Sequence, residues 1–264
     1  MRANFDEYSA RYSSFAKFER GDDGILEIRF HTNGGRAKFD GALHRDIGDL
    51  FSDVGQDLEN RVIILTGTDD AFLLASDMDM SVMEAFLPYT AAMHSGVYGE
   101  ILRLINCVVD VEMPMISALN GPVTVHAEIP VLADIVIATE DTYFSDDFHF
   151  INGVVPGDGA HVIWPYVLGN IRAKYFLLTA QRVTATEAHT IGFVHEIVDA
   201  KQLVARAWEL ARELAKQPDV TLRATRALFT QPLKKLMLDN LPLGAALEGL
   251  GSCNHFPTTL QSRP

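Results

Sequence analysis

Two histidines and an aspartate, His126, His149 and Asp158, lie in one stretch of chain that glycine and proline interrupt repeatedly. An imidazole exchanges protons near neutral pH, and a carboxylate beside it selects which ring nitrogen is free. A second imidazole can donate a hydrogen bond to a carbonyl oxygen as that oxygen gains charge. These residue types predict a general base at His149, an orienting acid group at Asp158 and an oxyanion donor at His126.

Each of these residues also has a structural interpretation. The ring of His149, which lies between two phenylalanines, can simply satisfy nearby backbone groups. Asp158 precedes a helical pattern at 160–168 and is a good helix N-cap, although its flanking glycines also permit close approach of a substrate. A metal site built from His126, Glu128 and His149 is a third possibility, but no paired motif such as HExxH supports it, and we predict no metal.

Charge and motif content exclude several classes of function. The net charge of -13, with 22 Lys and Arg against 35 Asp and Glu, opposes binding to nucleic acid or to an anionic membrane. The sequence contains no P-loop, no G-x-G-x-x-G after a strand and no G-x-S-x-G elbow. We therefore predict no cofactor and a small-molecule partner.

The sequence also predicts a cytoplasmic protein. Its first residues lack the apolar stretch of a secretory signal, and no window approaches the length of a bilayer span. The two cysteines, Cys107 and Cys253, match neither a metal knuckle nor a disulfide framework.

Strands that alternate with helices position these groups. Period-two or continuous apolar runs predict strands at 26–30, 62–66, 115–119 and 135–138. Helical spacing predicts helices at 41–51 and 89–104, so that the first of them crosses between two strands. The alternation indicates an α/β layer fold.

Beyond residue 172 the pattern is helical. Prolines 218, 232 and 242 are interpreted as boundaries between successive helices. In the helix predicted at 243–250, Glu248 points away from the apolar stripe, so it is expected in solvent unless this helix covers an active site. We expect an α/β core at residues 1–200 and a helical region at 201–264, within one domain or as a subdomain.

Most of the chain, from about residue 12 to 250, resembles the crotonase (enoyl-CoA hydratase/isomerase) superfamily. The segments that carry the resemblance are Val62-Ile-Ile-Leu-Thr-Gly67, Phe72-Leu-Leu-Ala-Ser-Asp77, Pro114-Met-Ile-Ser-Ala-Leu-Asn-Gly121, Ala133-Asp-Ile-Val-Ile-Ala138, Gly153-Val-Val-Pro-Gly157 and Gly192-Phe-Val-His-Glu-Ile-Val198. The resemblance implies a ββα superhelix core with a C-terminal helical trimerisation region. It also implies a homotrimer or a dimer of trimers.

Two segments depart from the CoA-thioester members of that superfamily. Those members carry A-G-x-D where this chain has Leu74-Ala75-Ser76-Asp77, and a triple glycine where it has Val125-His126-Ala127. In the family these segments supply the two backbone amides that hold a thioester oxygen. His149 occupies the place where hydratases have a catalytic glutamate.

Within the superfamily the chain is most similar to the 6-oxocamphor hydrolase and β-diketone hydrolase group, which cleaves a carbon–carbon bond without a cofactor. The similarity lies in Asn120-Gly-Pro-Val-Thr-Val-His126, Glu128-Ile-Pro-Val131, His149-Phe150, Gly153 to His161 and Trp164-Pro165. It implies that His126, His149, Asp158 and Glu248 are catalytic.

The resemblance also implies that Phe39, Leu74 and Ala75 contact the substrate. Phe39 replaces a tryptophan of 6-oxocamphor hydrolase and cannot donate an indole hydrogen bond. This departure makes a different β-diketone, such as a monocyclic one, as good a candidate as a camphor-derived substrate.

The expected reaction is the retro-Claisen hydrolysis of a cyclic 1,3-diketone to a keto acid. Two alternatives remain open at this point. One is an acyl-CoA hydratase, isomerase or hydrolase on the same scaffold. The other is a catalytically silent scaffold in which His126 and His149 are structural.

Overall fold

A six-stranded sheet forms the centre of the computed structural model, which describes residues 4–78 and 88–255. The strands are β1 (Ala16–Arg20), β2 (Ile25–Phe30), β3 (Val62–Thr66), β4 (Met115–Leu119), β5 (Ile135–Ala138), β6 (Tyr143–Phe144), β7 (Val183–Thr184) and β8 (Glu196–Ile197). The sheet order is β1-β2-β3-β4-β5-β8, antiparallel between β1 and β2 and parallel elsewhere. Strands β6 and β7 form a separate antiparallel pair. The four predicted strands and the α/β class are confirmed.

Nine helices surround the sheet within the described residues. They are α1 (Phe5–Arg11), α2 (Gly41–Gln56), α3 (Ala91–Asp110), α4 (Glu128–Val131), α5 (Ala160–Leu168), α6 (Asn170–Thr179), α7 (Ala185–Ile191), α8 (Leu203–Leu214) and α9 (Asp219–His255). Two single 3₁₀ turns lie at Ala75–Asp77 and Phe150–Asn152. Helix α2 crosses between the parallel strands β2 and β3, as the sequence predicts.

The central strands are apolar on both faces because helices cover both sides of the sheet. Every residue of β3 is buried. Ile63 and Leu65 point into the larger hydrophobic cluster, which also contains the buried side of α2. Val62 and Ile64 point into a second cluster with the apolar side of α8. The period of two along one strand thus divides its side chains between two helical layers.

Helix α9 corrects one prediction. The prolines at 232 and 242 do not separate helices, because α9 continues through both. Proline removes one N–H and crowds the carbonyl four residues earlier, which bends a helix without always ending it. Leu233, Met237 and Leu241 are buried in the larger cluster and hold the helix on the core across both positions.

None of the helices in the described ranges combines the length and the apolar character needed to cross a bilayer.

Candidate active site

A cavity of about 260 Å³ is lined by three of the four predicted catalytic residues, His126, Asp158 and Glu248. Its wall includes Phe39, Met78 and His126, from loops that follow the carboxyl ends of β2, β3 and β4. Carboxyl ends of parallel strands are where α/β folds place their ligands. Asp158 and Glu248 complete the polar wall. A larger depression of about 510 Å³ lies by α1 and β1 and contains none of the predicted catalytic residues.

His126 is held in a constrained position. Its φ is +44°, an uncommon value for a residue with a side chain, and such values often occur at functional sites. The ring lies against Phe39, with ring centres 4.2 Å apart. Its Nδ1 lies 2.7 Å from Oε1 of the buried Glu128. The local backbone thus presents the imidazole to the cavity with one nitrogen already engaged.

His149 is 2% exposed and contacts Asp158, which lies on the cavity wall. Its Nδ1 lies 2.9 and 3.0 Å from the two carboxylate oxygens of Asp146. The same carboxylate accepts the backbone N–H of His149 at 3.0 Å. Asp146 therefore orients the ring and leaves Nε2 toward Asp158.

Asp146 is not among the residues predicted from the sequence, because the orienting carboxylate was expected on the loop after His149. A usable signal exists in the sequence. Aspartate in a loop readily forms an Asx-type turn, and here Asp146 accepts the backbone N–H groups of Phe148 and His149 and so lies beside the His149 ring.

Asp158 lies between the two imidazoles. Its Oδ2 is 3.1 Å from Nε2 of His149 and 3.5 Å from Nδ1 of His126. Within the described residues Nε2 of His149 has no hydrogen-bond partner, so the shorter contact is an ion pair without the alignment of a hydrogen bond. As a helix cap Asp158 is weak: the N-cap of α5 is Gly159, and one bond of 3.5 Å reaches the amide of Ala160.

Glu248 reaches the cavity because α9 packs tightly against the loop before Asp158. A Cβ at Gly157 would overlap the backbone oxygen of Gly244 and press on the side chain of Glu248. The helix that carries Glu248 therefore covers the site. This is the case in which the sequence analysis expects Glu248 to lie at the active site and not in solvent. Its Oε2 is buried and has no hydrogen-bond partner among residues 4–78 and 88–255.

Burial and neighbouring charge set unusual protonation states. Burial alone would lower the pKa of His149, but Asp146 and then Asp158 outweigh it and raise the pKa well above 6.5. Burial alone would raise the pKa of Asp158, but His149 and then His126 hold it well below its usual range. Burial and the charge of Asp158 raise the pKa of Glu248 to about 8. At neutral pH His149 is cationic, Asp158 anionic and Glu248 mostly neutral.

Replacing Asp146 with asparagine is expected to lower the pKa of His149. Asparagine still accepts the Nδ1 proton but carries no charge to stabilise the imidazolium. The proton resonance of the His149 ring, followed by NMR against pH, should therefore titrate at lower pH than in the parent protein. An unchanged midpoint would show that Asp158 alone sets the charge of this ring.

In the part of the chain that the structure describes, two groups of side chains offer metal-type donors, His126 with Glu128 and Asp158, and His149 with Asp158 and Glu248. The atoms of each group lie within 4.8 Å of one another. Two nitrogen or oxygen ligands of one zinc ion lie roughly 3.3 Å apart, as bond lengths of about 2 Å in tetrahedral geometry require. The 2.7 Å between His126 and Glu128 instead fits a shared proton.

Leu74 and Ala75, predicted to contact substrate, are not among the residues of the cavity wall. The backbone N–H of Ala75 donates a 2.8 Å hydrogen bond to Oγ1 of Thr124. That amide is therefore already used by a side chain of this protein.

The cluster can activate water and stabilise an oxyanion. It contains an oriented imidazole, a carboxylate between two rings, a second imidazole on the cavity wall and a carboxylic acid that is mostly protonated at neutral pH. Groups whose surroundings drive their pKa values apart are typical of acid–base catalysis.

Comparison with known families and structures agrees with the fold. Residues 20–245 match the family model for enoyl-CoA hydratase/isomerase. A β-diketone hydrolase from the cyanobacterium Anabaena sp. PCC 7120, solved with (S)-3-oxocyclohexyl acetic acid, is 40% identical with a TM-score of 0.89, covering 94% of this chain and 97% of that one. An enoyl-CoA hydratase/isomerase from Mycobacterium paratuberculosis, 22% identical, shares the fold with a TM-score of 0.83, over 92% of this chain and 96% of that one.

Two curated relatives have lower sequence identity to this chain than the β-diketone hydrolase has, and their names refer to CoA esters. The 1,2-epoxyphenylacetyl-CoA isomerase of Escherichia coli (strain K12) is 26% identical over 200 residues, which is 75% of each chain. The crotonyl-CoA hydratase of Syntrophomonas wolfei is 28% identical over 209 residues, covering 75% of this chain and 76% of that one.

Proposed function

The chain belongs to the enoyl-CoA hydratase/isomerase family, and from that membership and its active-site geometry we propose that it hydrolyses a carbon–carbon bond of a cyclic 1,3-diketone. The observation that carries the proposal is Asp158, buried between His126 and His149 at the cavity. The 40% identity to a β-diketone hydrolase supports the same reaction class. The product is a keto acid.

The first step is attack of water on one carbonyl carbon. Water sits among His149, Asp158 and Glu248, whose polar atoms lie within 4.8 Å of one another. The neutral form of His149 takes a proton through Nε2 as the water oxygen bonds to the carbon. Because the resting ring is cationic, this base form becomes available as pH rises through the raised pKa of His149.

The second step breaks the bond between the attacked carbon and the carbon that lies between the two carbonyls. His126 donates a hydrogen bond to the oxygen of the tetrahedral adduct, and the adduct collapses to a carboxylic acid and an enolate. Glu248 gives its proton to the enolate carbon. The proton held by His149 then returns to Glu248, so one water is added and nothing else is consumed.

Acyl-CoA chemistry is the second candidate, favoured by the curated relatives. In the CoA-thioester members of this family, a thioester oxygen is held by backbone amides that include the segment matching Leu74 and Ala75. Here the Ala75 amide donates to Thr124. A thioester oxygen would have to compete with that bond, so the structure favours the diketone.

Incubation with a panel of diketones and CoA esters tests the proposal. The panel contains bicyclo[2.2.2]octane-2,6-dione, monocyclic 1,3-diketones and crotonyl-CoA. The bicyclic diketone is the compound obtained when the carboxyl carbon of 3-oxocyclohexyl acetic acid is joined, with loss of water, to the ring α carbon farther from the side chain. Mass spectrometry should show gain of one water by a diketone, with and without a chelator. Reaction of the CoA ester alone supports the second candidate. A folded protein that converts neither is a silent scaffold.

Glu248 should produce the alkaline limb of the pH profile. It must be protonated to act as an acid, so ionisation of Glu248 above about pH 8 lowers the rate and opposes the gain that comes from deprotonation of His149. In Glu248→Gln the rate should be lower at neutral pH and this limb should be absent from a plot of log kcat against pH. A limb that persists unchanged in the variant would assign the acid to another group.

Self-association into a trimer or a dimer of trimers is also proposed. Large exposed apolar side chains support it, namely Leu228, Phe229, Leu238, Leu243 and Leu250 on α9 and Ile171 and Tyr175 on α6. Where exposed apolar side chains form a contiguous patch, they mark a surface for contact with another protein. Light scattering should give three or six times the mass of one chain, and a monomer would contradict the proposal.

A cytoplasmic location is proposed as well, since Cys107 and Cys253 are both free thiols. Cell fractionation tests it, and recovery in an oxidising compartment would reject it.

A further inference from the structure

The oxyanion role of His126 places a demand on its protonation. Nδ1 is engaged with Glu128 at 2.7 Å. Only Nε2 then remains for the cavity, whose wall His126 helps to form. A neutral imidazole carries one N–H, and if that proton lies on Nδ1 then Nε2 presents a lone pair. A lone pair repels a developing oxyanion, so His126 acts as a donor only when Nε2 itself carries a proton.

Glu128 is placed so that the proton stays on Nε2 of His126. It is 2% exposed and contacts His126 with a distance typical of a charge-assisted hydrogen bond. With one proton shared between Nδ1 and the carboxylate, Nε2 keeps its N–H whichever side holds the shared proton. The pair therefore presents a donor to the cavity in both the ionic and the neutral arrangement.

The other groups facing His126 do not perform this function equally well. Asp158 lies 3.5 Å from Nδ1, beyond a good hydrogen bond, and is shared with the cationic His149. The ring of His44 lies 6.1 Å away and adds no negative charge. Glu248 is mostly neutral at pH 7.

We propose that Glu128 is a positioning residue that keeps His126 a hydrogen-bond donor toward the cavity, so that the His126–Glu128 pair forms the oxyanion site. The inference rests on the proposed function for its catalytic meaning. The protonation of His126 can be measured without any substrate.

The test compares Glu128→Gln with Glu128→Asp. Glutamine keeps nearly the same shape and removes the charge, whereas aspartate keeps the charge on a shorter side chain. Glu27→Gln is the matched control, because Glu27 is 5% exposed and accepts hydrogen bonds from Arg29 and Trp208 far from the cavity. Nitrogen-15 NMR of labelled histidine reports both ring nitrogens, and the resonances of His126 are those lost in His126→Ala.

In the parent protein, Glu128→Asp and the control, His126 should show two protonated nitrogens at pH 7. In Glu128→Gln it should be neutral, and kcat for a diketone should fall about 10- to 100-fold, the worth of a hydrogen bond to a charged group. A doubly protonated His126 in Glu128→Gln would overturn the inference. If the NMR result holds but no diketone reacts, the proposed function fails while the pairing stands.

Discussion

Replacing His149 with alanine is expected to lower kcat/KM for cyclic 1,3-diketones by about 10²- to 10⁴-fold, the usual contribution of a general base. The ring is the proposed acceptor of the water proton, and no other described imidazole borders both Asp146 and Asp158. Steady-state kinetics with the diketone found active in the panel gives the measurement. Diketone cleavage at the parent rate would remove His149 from the mechanism.

The control for this prediction separates chemistry from folding. Removing a ring between two buried carboxylates leaves their charges unpaired, which costs stability. Thermal unfolding should therefore accompany the kinetics, and His149→Gln provides a second variant that retains a polar side chain. His189→Ala is the matched histidine variant, since the ring of His189 hydrogen-bonds the backbone oxygen of Val194 and is not part of the cavity wall. Its activity should equal that of the parent.

Replacing Asp158 with asparagine is expected to lower kcat/KM by about 10²-fold or more. An asparagine amide placed 3.1 Å from Nε2 of His149 would donate to the lone pair that must accept the water proton. Loss of the charge also removes one cause of the raised pKa of Glu248. The alkaline limb of the pH profile should therefore move to lower pH in the same variant.

Asp53→Asn is the control for this substitution, because Asp53 accepts hydrogen bonds from Arg11 and Tyr12 away from the cavity. Parent-like rates in Asp158→Asn, with an unmoved alkaline limb, would refute the role of Asp158. A large loss of rate in the control would instead point to general destabilisation.

Much of the architecture follows from local sequence pattern. The continuous apolar run at 62–66 indicates a strand covered on both sides, and β3 has that environment. The helical spacing after Asp40 predicts α2, although the helix extends to Gln56, beyond the predicted end at residue 51. Boundaries are less predictable because the last turns depend on tertiary packing: Val54, beyond the predicted end, is buried in the larger cluster.

The course of α9 shows where local pattern fails. Proline has a strong local preference to end a helix, so the sequence pattern predicts helix boundaries at Pro232 and Pro242. In the structure, burial of the neighbouring Leu233 and Leu241 in the core outweighs that preference. The continuous helix is what brings Glu248 over the cavity.

The sequence by itself determined the fold class and the residue types that meet at the site, because apolar periodicity and the identity of His126, His149 and Asp158 are local properties. Only the tertiary structure decided how those groups are charged. Asp146 and Glu128 each engage one imidazole, and Asp158 lies between both rings. Protonation depends on distances of a few ångströms and on exclusion of water, which arise only when segments distant in the chain pack together.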